Sequence, residues 1–182
     1  MAVRDGGHLV RTLNLEAKKR RVAELRMASD PEAANALVEL LRDDSWFVRD
    51  LASVAVVERG RSLGDAVLGV MMSGLWYSRA AAALVLGKIG AVDMAPAVAA
   101  LLRDGNRTVR EAGYDALILL VSAGGERAVA LGLRTLETGL RAQFLDEARV
   151  RHPAIASRIA ESYADTGRDR ERGELALESV RT

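Results

Sequence analysis

Cysteine is missing from all 182 residues, proline occurs three times, and aromatic residues make up only 4%. Without thiols there is no disulfide framework, no thiolate nucleophile and no Cys-ligated zinc, so nothing marks an oxidising compartment and a cytoplasmic location is expected. Long apolar runs are also missing. No uncharged stretch approaches the roughly 18 residues a membrane helix needs. The N-terminus, MAVRDGGHLVRTLNLEAKKRR, places charge where a secretory signal requires an apolar core. Membrane insertion is therefore not expected. Nor is there an excess of one sign of charge: Lys+Arg 26 against Asp+Glu 25 gives a net charge of +1. That balance removes any chain-wide electrostatic reason for nucleic acid as an obligatory partner, so a basic site must be local.

What is abundant points one way. The chain holds 31 Ala and 25 Leu, a balance that favours helices and undersupplies the residues strands use. One all-helical domain is expected. Its internal repeat is visible when Leu40-Leu41-Arg42-Asp43-Asp44-Ser45-Trp46-Phe47-Val48-Arg49 is written above Val70-Met71-Met72-Ser73-Gly74-Leu75-Trp76-Tyr77-Ser78-Arg79 and Leu101-Leu102-Arg103-Asp104-Gly105-Asn106-Arg107-Thr108-Val109-Arg110. The register continues through Ala52, Ala82 and Gly113, then Val56, Leu86 and Leu117, at the spacings of one buried helical face. Each unit reads as an apolar helix, a short polar turn and a second apolar helix, with Gly60 or Gly90 closing it. The spacing predicts helix pairs at 31–42 with 46–59, 64–72 with 75–88, 94–103 with 106–121, and 125–137 with 140–150. A further helix is expected after Pro153, and a last one at 168–180. Beyond residue 125 the register weakens: Gly139 falls where a helix-starting residue belongs, and Phe144, Glu147 and Ala148 fit the core pattern poorly.

The stretch Ala83-Leu84-Val85-Leu86-Gly87-Lys88-Ile89-Gly90-Ala91-Val92-Asp93-Met94-Ala95-Pro96-Ala97-Val98-Ala99-Ala100-Leu101-Leu102, followed by Arg103-Asp104 and Val109-Arg110, resembles HEAT repeats of the bacterial phycobilisome-lyase-like type. The resemblance implies a right-handed α-α superhelix, a HEAT-like solenoid of about four to five hairpins whose neighbours share a continuous core. It divides residues 1–182 into a tail and capping helix (1–28), clear repeats (30–123), divergent repeats (125–166) and a charged tail or helix (167–182). It also implies that Arg49, Arg79 and Arg110, with Arg141 in the same register, brace adjacent units through the turn aspartates Asp43 and Asp104. Some relatives of this repeat type assemble or modify tetrapyrrole-bearing proteins, but no residue here argues for that chemistry.

Four of the seven aromatics sit in two equivalent turns, Trp46-Phe47 and Trp76-Tyr77, with Leu75 beside the second pair. Aromatic pairs on one edge of consecutive units make an apolar patch suited to a protein partner or a second copy. The competing reading tucks one ring of each pair against its own or the preceding turn, or covers the edge with residues 1–13. Lys18, Lys19, Arg20 and Arg21 form the strongest local charge, a candidate contact for an acidic protein or, as the alternative function, for nucleic acid. Trp46 and Asp50, four apart, echo the aromatic and carboxylate with which HEAT-like alkylpurine DNA glycosylases hold a cationic lesion, the least favoured reading. His8 and His152 lie at no metal-ligand spacing, so neither a metal nor a cofactor is expected. Met71-Met72 reads as core filler. The sequence thus predicts a non-enzymatic protein-binding scaffold.

Overall fold

The computed structural model describes residues 14–165, and within them every regular element is a helix. In chain order these are α1 (Leu15–Met27), α2 (Pro31–Glu39), α3 (Trp46–Arg59), α4 (Gly64–Ser73), α5 (Trp76–Lys88), α6 (Ala95–Ala100), α7 (Arg107–Ser122), α8 (Glu126–Arg134) and α9 (Thr138–Arg151). A further helix, α10, runs over 153–165. Residues 1–13, which the competing reading lays over the aromatic edge, and 168–180, read as a last helix or a charged tail, lie outside the described residues. None of the described helices is long and apolar enough to cross a membrane.

Local chemistry explains the starts and stops. Asn14 accepts a hydrogen bond from the Ala17 amide at 2.9 Å, and Asp30 accepts one from Ala33 at 2.7 Å with Pro31 in the first helical turn. Asn106 caps α7 through the amides of Thr108 and Val109. At the other end of α5, Gly90 takes φ +65°, a left-handed conformation that L side chains rarely adopt, and the Ala91 amide returns to the Leu86 carbonyl at 3.1 Å.

The odd-numbered helices α1, α3, α5 and α7 pack in sequence, each on the next, and the even-numbered helices lie against them: α2 on α3, α4 on α5, α6 on α7. The closest of these contacts is α5 with α7. There a Cβ on Gly87 would stand 2.9 Å from the Ala116 Cα, so the hydrogen side chain is what lets the two backbones meet. The shared core is small-residue and branched-aliphatic: Leu37, Val56, Val67, Ala82, Leu86, Val98, Leu117 and Leu133 are all fully buried.

Two side-chain expectations are corrected here. Phe144 and Ala148 are core residues: they stand 31 residues after Gly113 and Leu117, so the buried face continues into α9, where the Phe144 ring packs on Tyr114 of α7. Met71 is buried but Met72 is exposed, since consecutive helical residues point about 100° apart and only one can face the core.

Candidate functional site: an aromatic edge, a cation ladder and a cleft

Trp46 and Trp76 occupy the first positions of α3 and α5, two helices that pack together, and are 70% and 46% exposed. Each makes an edge-to-face contact with the next ring, Trp46 with Phe47 and Trp76 with Tyr77, at centroid separations of 5.6 Å. The second ring of each pair is only half-exposed and lies under a cation from the preceding odd-numbered helix. The Lys19 ammonium lies 4.9 Å from the Phe47 centroid, and the Arg49 guanidinium 4.4 Å from that of Tyr77. So each pair divides its labour. Phe47 and Tyr77 are anchored within the chain, while Trp46, Trp76 and Leu75 face solvent, joined on the same edge by Met72.

Beneath this edge runs a ladder of cations. Arg79 grips Asp104 with two parallel bonds of 2.9 Å, Nε to Oδ2 and Nη2 to Oδ1, while its Nη1 donates to the Gly74 carbonyl of its own turn. Burial of the Asp104 carboxyl would raise its pKa. The bonds from Arg79 and from the Asn106 amide outweigh that and hold it below the ordinary carboxylate range.

Asp43 meets a lysine where an arginine was expected. Lys18 stands 31 residues before Arg49, at the arginine's own place in the repeat, and its ammonium lies 2.9 Å from Asp43 and 3.0 Å from Asp44. At 6% exposure it is no surface contact, which corrects its grouping with the exposed basic residues. Burial alone would lower the Lys18 pKa, but the bonds to Asp43 and Asp44 raise it above the usual lysine value. Lys19 pairs with Glu16 and Arg21 with Glu24, so of the four-residue basic cluster only Arg20 is exposed without an acidic partner among the described residues.

The two remaining rungs differ. Arg49 donates Nη1 to the Asp43 and Asp44 carbonyls, but the next turn carries Ser73 in the aspartate position, and the guanidinium stacks on Tyr77. Arg110 likewise donates Nη1 to the Asp104 and Gly105 carbonyls, yet its next turn carries Thr135, whose hydroxyl donates to Gly132. The backbone changes there too. Thr135 is helical at φ −76°, ψ −12°, where Asp43 and Asp104 are extended near ψ 145° and 140°. Nε and Nη2 of Arg110 have no partner among the described residues. Arg141 contacts the Thr138 hydroxyl at 3.3 Å.

Arg110 opens onto a cleft of about 370 Å³ between α7 and α9, floored by Leu102, Tyr114, Leu140 and Phe144. The two helices stand further apart here than α5 and α7 do, held by the Tyr114 and Phe144 rings with centroids 5.1 Å apart. Tyr114 is 4% exposed and its hydroxyl has no hydrogen-bond partner among the described residues. Burial pushes the phenol pKa above its ordinary value, so the group keeps its proton and remains a donor. The sequence reading missed this residue. Its available signal was an aromatic four residues after the repeat arginine, where the earlier units carry Ser53 and Ala83.

Trp46 and Asp50 are both exposed, and Arg49 beside them is engaged with the turn carbonyls and with Tyr77. Among the described residues no group of three His, Cys, Asp or Glu side chains is placed to hold a metal ion. In comparisons with known proteins, neither a family model nor a curated protein matches this chain.

Proposed function

We propose that the chain is a HEAT-like right-handed superhelix acting as a non-enzymatic scaffold, and that it docks a protein partner or a second copy of itself through Trp46, Leu75 and Trp76. The observation that carries this reading is the division within each aromatic pair. An indole left in solvent next to a ring already pinned by a cation is a preorganised anchor, so little side-chain freedom is lost when a partner covers it. Large exposed apolar groups on one edge are what partner surfaces use, and Leu75 and Met72 extend the patch. Helices stacking in sequence and a ladder of side chains repeating every 30 or 31 residues support the superhelix.

The nucleic-acid alternative loses support from the basic cluster. Lys18 is buried and paired, Lys19 and Arg21 are balanced by acids, and a backbone-tracking surface needs cations that release counterions on binding. The test is mass in solution by light scattering at several concentrations, together with co-purification of a stoichiometric protein partner. The double variant Trp46→Ala, Trp76→Ala is expected to lose the dimer or the complex while circular dichroism shows its helix content unchanged. Association that survives both substitutions overturns the reading.

A further inference from the structure

The cleft between α7 and α9 is separate from the aromatic edge, and two of the side chains that line it carry hydrogen-bonding groups left unmet among the described residues. One is the outer edge of Arg110. The equivalent edge of Arg79 holds a carboxylate with two bonds of 2.9 Å, and both arginines anchor their other nitrogen in the same way on the carbonyls of their own turn. Arg110 is therefore set in a carboxylate-gripping pose with the carboxylate removed, and its side chain lines the cleft. The other is the Tyr114 hydroxyl. A buried donor without an acceptor is costly, and phenylalanine would fill the same volume without that cost, so the oxygen is unexplained by packing.

The charges of the cleft single out the same residue. Arg107 is paired with Glu111 at 2.7 Å within α7, and Arg151 with Glu147 at 2.6 Å within α9 and with Asp115 of α7 at 3.6 Å. Of the three arginines that line the cleft, Arg110 is the one with no ion pair to a carboxylate among the described residues. The floor is apolar, so the site suits an anion attached to a hydrocarbon group better than a bare inorganic ion.

We propose that this cleft binds a carboxylate borne on a short apolar stem: the Nε and Nη2 edge of Arg110 takes both carboxylate oxygens, the Tyr114 hydroxyl donates a further bond, and Leu102, Leu140 and Phe144 enclose the stem. Arg151 lies over the Tyr114 ring, 4.7 Å from its centroid, and its exposed side chain moves aside as the ligand enters. The carboxylate belongs either to a free small acid or to the C-terminus of a polypeptide, which present the same two oxygens.

The probes are 3-phenylpropionate and acetyl-Ala-Phe with a free C-terminus, each beside its amide, titrated into the full chain and followed by NMR. At least one of the acids is expected to bind about tenfold or more tightly than its amide, since a bidentate guanidinium pair is lost without the charge. Preference for the small acid assigns the site to free acids, and preference for the dipeptide assigns it to chain ends. Arg110→Gln and Arg110→Lys should each weaken the acid by about tenfold or more, the lysine variant because a point charge cannot reproduce the fork. Tyr114→Phe should weaken it by a smaller factor and, without ligand, leave the melting temperature unchanged or higher. The proposal is overturned if neither acid binds, if acid and amide bind equally, if both Arg110 variants bind as wild type, or if Tyr114→Phe lowers the melting temperature of the free protein.

Discussion

The two sides of α7 are built by opposite rules. Toward α5, Gly87 and Ala116 bring backbones together with no side chain between them, and the charged groups at the end of that seam, Arg79 and Asp104, are fully matched. Toward α9, Tyr114 and Phe144 hold the helices apart, a cleft opens, and Arg110 is left with three of its five N–H donors without a partner among the described residues. The same arginine position thus serves as a brace where the next turn supplies an extended aspartate and as an open receptor where it supplies a helical threonine. What differs between them is the chain that follows the arginine.

The close seam is the more fragile of the two. A methyl group at Gly87 would meet the Ala116 Cα at 2.9 Å and its carbonyl oxygen at 3.1 Å, and backbone atoms inside two packed helices cannot give way independently. Gly87→Ala is expected to cost about 3 kcal/mol, the upper range for overpacking, offset only slightly by the better helix propensity of alanine. Urea unfolding followed by circular dichroism measures it. Across the cleft no comparable penalty exists, so a loss below about 1 kcal/mol would mean that the two sides of α7 do not differ as described.

Much of this was legible in the sequence. The 30- and 31-residue spacing places helices within one residue of the observed positions up to α7, save that the last three residues expected of α2 and α6 form separate 3-10 turns at Leu40–Arg42 and Leu101–Arg103; glycine, proline and capping residues mark the boundaries chemically. The exposed rings were visible too, since a tryptophan at the first position of a helix has little core to reach. What stayed hidden depended on non-local partners. Lys18 looks like one of four solvated cations until the repeat is counted backward from Arg49, and only the fold shows Asp43 waiting for it. Phe144 and Ala148 hold the core positions of the register, 31 residues after Gly113 and Leu117, but a phenylalanine where the earlier units carry alanine or glycine does not look like one. Its ring packs on Tyr114 of a neighbouring helix, a contact that no local pattern encodes.

Comparing Arg79 with Arg110 sharpens the contrast further. Both lose a hydrogen bond to their own turn when changed to glutamine, but only Arg79→Gln also strands a carboxylate that is 13% exposed. Arg79→Gln is therefore expected to destabilise by about 2 to 3 kcal/mol and Arg110→Gln by about 1 kcal/mol or less, with the difference belonging to the ion pair. Equal losses would show that the carbonyl bonds, and not the ion pair, hold this part of the chain.

The dependence on pH isolates that ion pair most finely. Asp104 has its pKa lowered in the folded chain: burial opposes the ionised form, but the Arg79 fork and the Asn106 amide more than compensate. A carboxyl whose folded pKa lies below its unfolded value of about 3.9 adds stability that is complete above that value and disappears as pH falls through the folded one. The gap in stability between wild type and Arg79→Gln should thus be constant from about pH 5 to 7 and close below about pH 4, as protonation strips wild type of what the variant already lacks. Stability measured by urea titration at each pH follows it. A gap that persisted in acid would assign the Arg79 contribution to its bond with the Gly74 carbonyl, which does not titrate, and would remove the distinction between the closed and the open rung.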